Sequence, residues 1–387
     1  MSGVSFLEKL LDGVEVEWKA QGEVCRFING RAYKQAELLS QGKYPVLRVG
    51  NFFTNDNWYY SNLELDEDKY CDKGDLLYAW SASFGPRIWS GDKVIYHYHI
   101  WKIVPNLDLI NKKFLYYLLE WDTKALKDEH ATGSTMMHVG KGSIEKRLVP
   151  IPCPENPKKS LEIQAEIVRI LDAFTSLTAE LTAELNTRKK QYNYYRDQLL
   201  SFDDEDVEWK TLGDIGEILR GTAITEKQTN PGEFPVVANG PSHNYYHDQK
   251  NRSGETIVIA RSGAYAGLVS YWNQPIFLTD AFSIHPDNKV LSTKFLYYFF
   301  KKDQTKIHLM GKGAGVPHVR AKDFESYKIP VPPLAEQARI VAILDKFDTL
   351  TNSITEGLPR EIELRQKQYE HYRNLLLNFP KPKEVAA

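Results

Sequence analysis

The stretch Lys113–Tyr117, KFLYY in one-letter code, occurs a second time without any change as Lys294–Tyr298. A second match follows it, because the pattern Ile-Val-x-Ile-Leu-Asp that begins at Ile167 returns at Ile340. The matched stretches lie about 180 residues apart, which is too long for one unit of a solenoid and suits a domain with its linker. The sequence therefore predicts two copies of one domain, arranged in tandem.

The first half of each copy differs in length and carries the signals of a mixed fold. Short runs of β-branched and aromatic residues, bounded by Gly, Asn and Asp, predict strands. The clearest of these runs are Tyr44–Val49, Asp75–Trp80, Val94–Val104, Glu255–Ala260 and Gly267–Tyr271. Each variable part ends in one stretch with helical periodicity, Lys112–Leu126 or Thr293–His308. We therefore expect an α+β globule in each copy.

The second half of each copy has the apolar spacing of a coiled-coil seam, with alternating steps of four and three residues. The predicted seam consists of Ile167, Ile170, Phe174, Leu177 and Leu181 in the first copy and Ile340, Ile343, Phe347, Leu350 and Ile354 in the second. Two matching seams predict two long helices, each of about 38 residues and ~57 Å, that pack against each other antiparallel. Gly357 and Pro359 interrupt the second seam, and we predict a kink or break there because proline lacks the backbone donor.

The composition excludes several classes of protein. The 387 residues include 49 Lys+Arg, 51 Asp+Glu and three cysteines, and 42% of them are hydrophobic, enough for a core in each of two or three domains. Three cysteines far apart in sequence suggest neither a disulfide framework nor a paired-cysteine zinc site. The apolar runs are far shorter than the roughly 18 residues that span a bilayer, so we expect a cytoplasmic protein. A net charge of −2 argues against a histone-like polycation but does not exclude DNA binding.

A series of short motifs links each globule to its helix. Each variable part leads through small residues and a histidine, His138 or His318, into a proline-rich segment, Pro150–Pro154 or Pro330–Pro333. A Leu-x-x-Gln motif and the long helix follow. The second copy opens with Trp-x-x-Leu-Gly-Asp at Trp209–Asp214, a pattern from which the first copy departs. Over essentially its whole length, the chain resembles the specificity (S) subunit of type I restriction-modification enzymes.

The resemblance implies an α+β protein with two α/β target recognition domains in a pseudo-two-fold arrangement, joined by two long antiparallel coiled-coil helices. It implies a non-catalytic subunit whose globules each read one half of a bipartite site on double-stranded DNA. The helices would set the spacing of the half-sites and dock two methyltransferase (modification) subunits, with restriction and motor subunits outside them. No cofactor is expected on this chain, whereas S-adenosylmethionine, ATP and Mg are expected on partner subunits.

The domain boundaries follow from the repeat and the resemblance together. We place the first target recognition domain at residues 1–155 and the central long helix at 156–203. The second target recognition domain is expected at 204–333, the C-terminal long helix at 334–380 and a tail at 381–387.

The candidate DNA-binding residues are those whose chemistry suits phosphates and base edges. Arg and Lys bind phosphates and guanine, Asn binds adenine, and small polar residues allow close approach in loops. In the first globule the candidates are Arg31, Arg48, Asn51, Ser81, Ser83, Arg87 and Lys141. In the second they are Arg220, Lys227, Asn239, Arg261, Ser262, Tyr265, Lys312 and Arg320.

Two other functions remain possible on the sequence alone. The repeated Glu-x-Lys at Glu17–Lys19 and Glu208–Lys210 has the form of a metal-dependent nuclease motif, although a buried tryptophan anchor between solvated charges explains it better. A coiled-coil scaffold without a DNA role is the second, although a scaffold has no use for two dissimilar globules. The glycine-rich Gly311–Gly315 lacks the spacing of a phosphate-binding loop, and the ten histidines show no metal-binding spacing. We therefore predict no catalytic and no metal-binding residues.

Overall fold

A computed structural model gives the arrangement of the chain. It describes residues 6–53, 55–81, 83, 85–130, 138–205, 207–243, 245–311 and 316–381. The chain divides into two compact units, one formed by Met1–Ala179 with Leu364–Ala387 and the other by Glu180–Glu363. No helix in the described ranges is both long and apolar enough to cross a membrane.

The first unit contains the first globule, which extends from Phe6 to Pro152. Its strands are β1 (Val16–Ala20), β2 (Cys25–Asn29), β3 (Tyr44–Leu47), β4 (Tyr59–Ser61), β5 (Tyr70–Cys71), β6 (Leu76–Ala79), β7 (Gly85–Ile88), β8 (Val94–Tyr96), β9 (Ile100–Pro105) and β10 (Leu148–Pro152). Its helices are α1 (Phe6–Leu11), α2 (Gln21–Val24), α3 (Val49–Phe53), α4 (Lys112–His130) and α5 (Lys141–Glu145). The long helix α6 (Pro157–Leu199) follows and has 43 residues.

The second unit contains the second globule, which extends from Glu208 to Val331. Its strands are β11 (Glu208–Thr211), β12 (Gly216–Arg220), β13 (Phe234–Val237), β14 (Tyr246–His247), β15 (Glu255–Ala260), β16 (Val269–Asn273), β17 (Phe277–Leu278), β18 (Ala281–Pro286) and β19 (Lys328–Val331). Its helices are α7 (Leu212–Ile215), α8 (Thr293–Lys302), α9 (Gln304–Leu309) and α10 (Ala321–Glu325). The C-terminal helices α11 (Leu334–Asn352) and α12 (Leu358–Leu377) come next.

The two globules share one sheet topology. Each has an antiparallel four-stranded sheet, in the order β2-β9-β6-β7 in the first and β12-β18-β15-β16 in the second. A second sheet, four-stranded in the first globule and three-stranded in the second, contains the parallel pair β3–β8 or β13–β17. The VEWK strands, β1 and β11, pair with β10 and β19. The repeat in the sequence is therefore a repeat in structure.

Two predicted elements are divided in the structure. The run Val94–Val104 forms two strands, because the turn at His97–His99 separates β8 from β9. The stretch Thr293–His308 forms two helices, because Asp303 ends α8 with a non-helical backbone and its carboxylate accepts a hydrogen bond from the Tyr327 hydroxyl at 2.7 Å. Neither division is marked by glycine or proline in the sequence.

The helix α6 packs against the C-terminal helices within each unit. In the first unit the Phe174 ring stacks on Tyr372 of α12, with ring centroids 5.2 Å apart. In the second unit Tyr195 stacks on Phe347 of α11, with centroids 5.7 Å apart. The early part of α6 thus meets the later C-terminal helix and the late part meets the earlier one, which is the order of an antiparallel pairing. The predicted fold class, α+β globules with long antiparallel helices, is confirmed.

The predicted break in the second long helix is also confirmed. Residues between Asn352 and Leu358 are not helical, and Gly357 has a positive φ of 81°. A Cβ at Gly357 would lie 2.3 Å from the Thr349 carbonyl oxygen, so only glycine fits there. Ile354 lies in this segment and is 79% exposed, so its assignment to the apolar seam is wrong.

The other seam residues divide into two groups. Ile167 and Ile340 are fully buried, and both belong to the core of the globule that precedes their helix. Ile170, Phe174, Leu181, Ile343, Phe347 and Leu350 are partly buried, and Leu177 is exposed. The first turns of each helix therefore complete a globule, and the later turns pair with another helix.

Candidate nucleic-acid interface

An isolated β-bridge follows β6 in the first globule, and an equivalent bridge follows β15 in the second. After β6, Ser81 forms an isolated bridge with His138, and after β15, Ser262 forms the same bridge with His318. The next backbone amide, that of Val139 or Val319, donates to the carbonyl of the residue just after the strand, Trp80 at 3.0 Å or Arg261 at 2.8 Å. Trp80 and Arg261 therefore occupy equivalent positions in the two globules.

In the first globule this position is surrounded by rings. The Trp80 indole stacks on Trp101 with centroids 5.6 Å apart and contacts the rings of His99 at 5.0 Å and His138 at 5.8 Å. Its Nε1 donates to the Tyr98 carbonyl at 2.8 Å. The cluster presents flat aromatic and imidazole surfaces.

Two histidines at this cluster, His97 and His99, have lowered pKa values. Burial, with the charges of His99 and Arg48, lowers the pKa of His97 to about 4. Burial and the neighbouring His138 also lower the pKa of His99. Both rings are therefore neutral at pH 7, where each has one donor and one acceptor nitrogen.

In the second globule the equivalent position is polar and charged. The Arg261 guanidinium donates to the Asp280 carboxylate through Nη2, and Asp280 also accepts from Asn239 Nδ2 at 2.7 Å. The Asn239 side-chain oxygen accepts from the Arg261 backbone amide at 2.6 Å, while its Nδ2 donates to Ser262 Oγ at 3.1 Å. The structure thus joins three of the predicted residues, Asn239, Arg261 and Ser262, in one network.

A cavity of about 500 Å³ opens beside this network. Its lining includes Arg220, Arg261, Arg320 and Lys322, with Asp280 as the one carboxylate among the described lining residues. Such a surplus of positive charge attracts the phosphates of nucleic acid.

The predicted residues of the first globule are placed less uniformly. Arg31 donates to both oxygens of Glu37 at 2.9 Å, and Asn51 donates to the carbonyls of Asn55 and Asn57, so both are engaged in local structure. Ser81 is 2% exposed, and its side chain cannot contact DNA directly in this structure. Arg31 and Ser81 nevertheless flank the ring cluster through their bridges to His97 and His138.

The remaining first-globule candidates are exposed. The Arg48 guanidinium lies over the Tyr59 ring at 5.2 Å, and that of Arg87 over Phe52 at 5.4 Å. Lys141 pairs with Glu145 at 3.6 Å on the surface of α5. Ser83 is exposed two residues after Ser81.

In the second globule, Arg220 and Arg320 line the cavity, and Lys227 and Tyr265 are exposed outside its lining. Lys312 and most of the glycine-rich Gly311–Gly315 lie outside the described residues. Three residues at these positions, Trp80, His99 and Asp280, were not among the predicted residues. A position-by-position comparison of the copies finds them. Trp80 and Arg261 directly follow β6 and β15, and His99 and Asp280 directly precede β9 and β18.

Comparisons with known proteins identify the family. The profile of the type I restriction modification DNA specificity domain matches residues 13–188 and again 204–364. The chain belongs to this family. It is 41% identical to the EcoR124I/EcoR124II specificity subunit of Escherichia coli over the whole of both chains. It is 33% identical to a putative type I specificity subunit of Haemophilus influenzae, covering 97% of this chain and 98% of that one.

The fold agrees with this membership. A crystal structure of a type I S subunit from M. genitalium superposes with a TM-score of 0.63 at 18% identity, covering 96% of this chain and 98% of that one. The resemblance seen in the sequence is thus confirmed. The chain is a DNA sequence-specificity subunit of a type I restriction-modification system, and its partners are DNA and the other subunits of that system.

The family membership argues against the two alternative functions, a metal-dependent nuclease and a coiled-coil scaffold without a DNA role. Specificity subunits are not enzymes, and the Glu-x-Lys pairs have a simple structural explanation. Lys19 binds Glu17 at 2.8 Å and Lys210 binds Glu208 at 3.2 Å on the partly exposed strands β1 and β11. Trp18, between the first pair, donates to the Pro380 carbonyl at 2.9 Å and so anchors the C-terminal segment. Within the described ranges, no group of three or more His, Cys, Asp or Glu side chains is placed to hold a metal ion.

Proposed function

We propose that each globule of this specificity subunit reads one half of a bipartite site on double-stranded DNA. The observation that carries the proposal is the contrast between Trp80 with His99 and Arg261 with Asp280 at equivalent positions of one shared frame. Aromatic and imidazole groups favour other base edges than an arginine does. Independent reading of two DNA sequences requires two recognition surfaces that share a backbone and differ in side-chain chemistry.

In this proposal the first target recognition domain is residues 1–155 and the second is 204–333, and the helices at 156–203 and 334–380 separate them. The helices set the spacing of the half-sites and dock two methyltransferase subunits, with restriction subunits bound through the complex. Exposed tyrosines on α6, Tyr194 at 61% and Tyr195 at 46%, support a role of this helix in docking. S-adenosylmethionine, ATP and Mg act on the partner subunits.

Exchange of the first globule tests the independence of the two readers. Residues 15–150 are replaced by the equivalent part of a related subunit, and the hybrid is expressed with its methyltransferase partner. Methylation mapping of the host genome should show one new half-site beside one unchanged half-site. Reversal of the design, with residues 204–333 exchanged, should change the other half-site. A change in both half-sites after either exchange would contradict independent reading.

An insertion tests the role of the helices in spacing. Four residues added between Leu181 and Leu185 lengthen α6 by about 6 Å while largely keeping the apolar seam in register. The helix is continuous there, whereas the C-terminal partner is already interrupted at residues 353–357. We expect unchanged half-sites separated by one or two additional base pairs. An active complex with the original spacing would show that α6 does not set it.

A further inference from the structure

Arg261 is an exposed cation of the second globule that two neighbouring side chains hold in place. Its side chain is 50% exposed, and within the described part of the chain its guanidinium hydrogen-bonds to Asp280 alone. Asp280 is held in turn by Asn239, which also binds the Arg261 backbone. The Arg261 backbone and one guanidinium nitrogen are thus held, and the other guanidinium N–H groups make no hydrogen bond to the described residues of this half-exposed side chain.

The backbone at Asp280 adds a second, independent observation. Asp280 is one of three non-glycine residues in the described ranges with a positive φ, here 44°. Most side chains disfavour this conformation, and aspartate tolerates it better than most, so the turn accepts an acidic residue at this point. Asp280 lies immediately before β18, and its carboxylate contacts Arg261.

The chemistry of the pair suits a base better than a phosphate. A carboxylate next to the guanidinium repels a phosphate, whereas it leaves intact the two-donor edge that matches O6 and N7 of guanine. Adenine offers a donor in place of O6 and cannot accept both bonds. The cavity supplies phosphate partners separately, since among the described residues the side chains of Arg220 and Arg320 make no ion pair with a carboxylate.

We propose that Arg261, oriented by Asp280 and Asn239, is the guanine-reading residue of the second globule. The proposal rests on the proposed function, in which this globule reads one half-site. Trp80 stands at the same position in the first globule and has no comparable donor edge. The second half-site therefore contains a G·C pair whose recognition depends on Arg261.

Methylation mapping of cells that express the complete complex tests the proposal. The wild-type complex should methylate a bipartite site whose second half contains at least one G·C pair. With R261A, one G·C position of that half should become degenerate, with discrimination reduced on the order of tenfold to hundredfold, and the first half should not change. R261K keeps the charge but loses the two-donor edge, so it should relax the same position.

R220A is the matched control. Arg220 is exposed and lines the same cavity, but its side chain makes no ion pair with a carboxylate among the described residues. It should weaken methylation of all sites without changing the sequence. If R261A abolishes methylation, binding of the purified complex to duplexes with each base pair of the second half-site replaced in turn gives the same information. A hydrogen-exchange comparison of β15 in wild type and R261A verifies that the globule stays folded.

Two outcomes would overturn the proposal while leaving independent reading intact. One is a second half-site without a G·C pair, and the other is full discrimination by R261A at every position of that half. A wild-type site that is not bipartite, or a change in both halves with R261A, would instead contradict the proposed function itself.

Discussion

Where β6 ends in the first globule the chain continues with Trp80, and where β15 ends in the second it continues with Arg261. The backbone carbonyl of each accepts the same hydrogen bond, from Val139 or Val319. The two side chains make different contacts, since the Trp80 ring stacks on Trp101 and the Arg261 guanidinium binds Asp280. Side chains at a strand end can vary because the main-chain hydrogen bonds hold the frame without them.

The junction between globule and helix shows the opposite behaviour. Gln164 and Gln337 are fully buried at the start of the long helices. Gln164 Oε1 accepts a hydrogen bond from the backbone amide of Asn111, just before α4, at 2.8 Å. Gln337 Oε1 accepts one from the backbone amide of Ser292, just before α8, at 2.7 Å. Buried polar groups need partners, so a change at these positions is costly. The buried junction is therefore constrained, whereas the strand ends at Trp80 and Arg261 can differ without loss of the fold.

Replacement of the buried glutamines should have the largest effect. Gln337 Nε2 donates to two backbone carbonyls, those of Val290 and Pro332, whereas Gln164 Nε2 donates to one, that of Leu109, and to the Ser160 hydroxyl. Loss of these bonds leaves buried groups unpaired at roughly 1–3 kcal/mol each. We expect Q337M to destabilise the second unit by about 3–5 kcal/mol and Q164M to destabilise the first by somewhat less.

Hydrogen exchange of α4 and α8 peptides in the full chain measures the two effects separately. Q198M on the exposed face of α6 is the control and should change the opening free energies by less than about 0.5 kcal/mol. Equal effects of Q164M and Q337M would show that the second backbone carbonyl bound by Gln337 adds nothing to stability.

The histidines of the ring cluster should give the first unit the steeper acid dependence. The unfolded chain binds protons on its histidines near pH 6.5, but the lowered pKa of His97 delays its protonation in the folded protein to about pH 4. The folded state therefore loses stability as the pH falls below about 6.5, and His97 accounts for at most about 2 kcal/mol between pH 7 and pH 5.

The variant H97F keeps a ring in the cluster and removes this titration, so its first unit should lose less stability over the same range. In the second unit burial also lowers the pKa of His285, and H285F serves as the matched comparison. Unfolding followed by hydrogen exchange at pH 7 and pH 5 gives the slopes. An H97F chain with the wild-type slope would assign the acid sensitivity to other groups.

The fold could be predicted from the sequence because repetition and apolar spacing are global patterns. KFLYY and the Ile-Val-x-Ile-Leu-Asp motif predicted two globules and two helices, and Gly357 with Pro359 predicted the break. The turn at His97–His99 was not predictable, since neither glycine nor proline marks it. The seam spacing likewise could not distinguish Ile340, buried in a globule core, from Ile354, which is exposed in the break.

The candidate site could be predicted only in part. Arg261, Asn239 and Ser262 were selected for their chemistry, and the structure joins them in a network. Ser81 was selected in the same way, but its side chain is buried. This burial was not predictable, because the sequence does not show which face of a strand end is covered. Asp280 was missed because its role depends on a positive φ and on a partner 19 residues away. Such contacts come from tertiary structure rather than from local pattern.

The smallest expected effect concerns a second contact shared by the two junctions. Lys113 and Tyr117 donate to Asp172 at 2.5 and 2.8 Å, and Lys294 and Tyr298 donate to Asp345 at 2.7 and 2.5 Å. The lysine side chain is 51% exposed in the first pair and 31% in the second, so water screens the first pair more strongly. Double-mutant cycles with K113M/D172N and K294M/D345N should give coupling free energies below about 1 kcal/mol, with the second value larger. Added salt should reduce the first coupling more than the second, because the exposed pair is the more accessible to ions. Equal couplings with equal salt dependence would mean that the two junctions are energetically the same despite their different exposure.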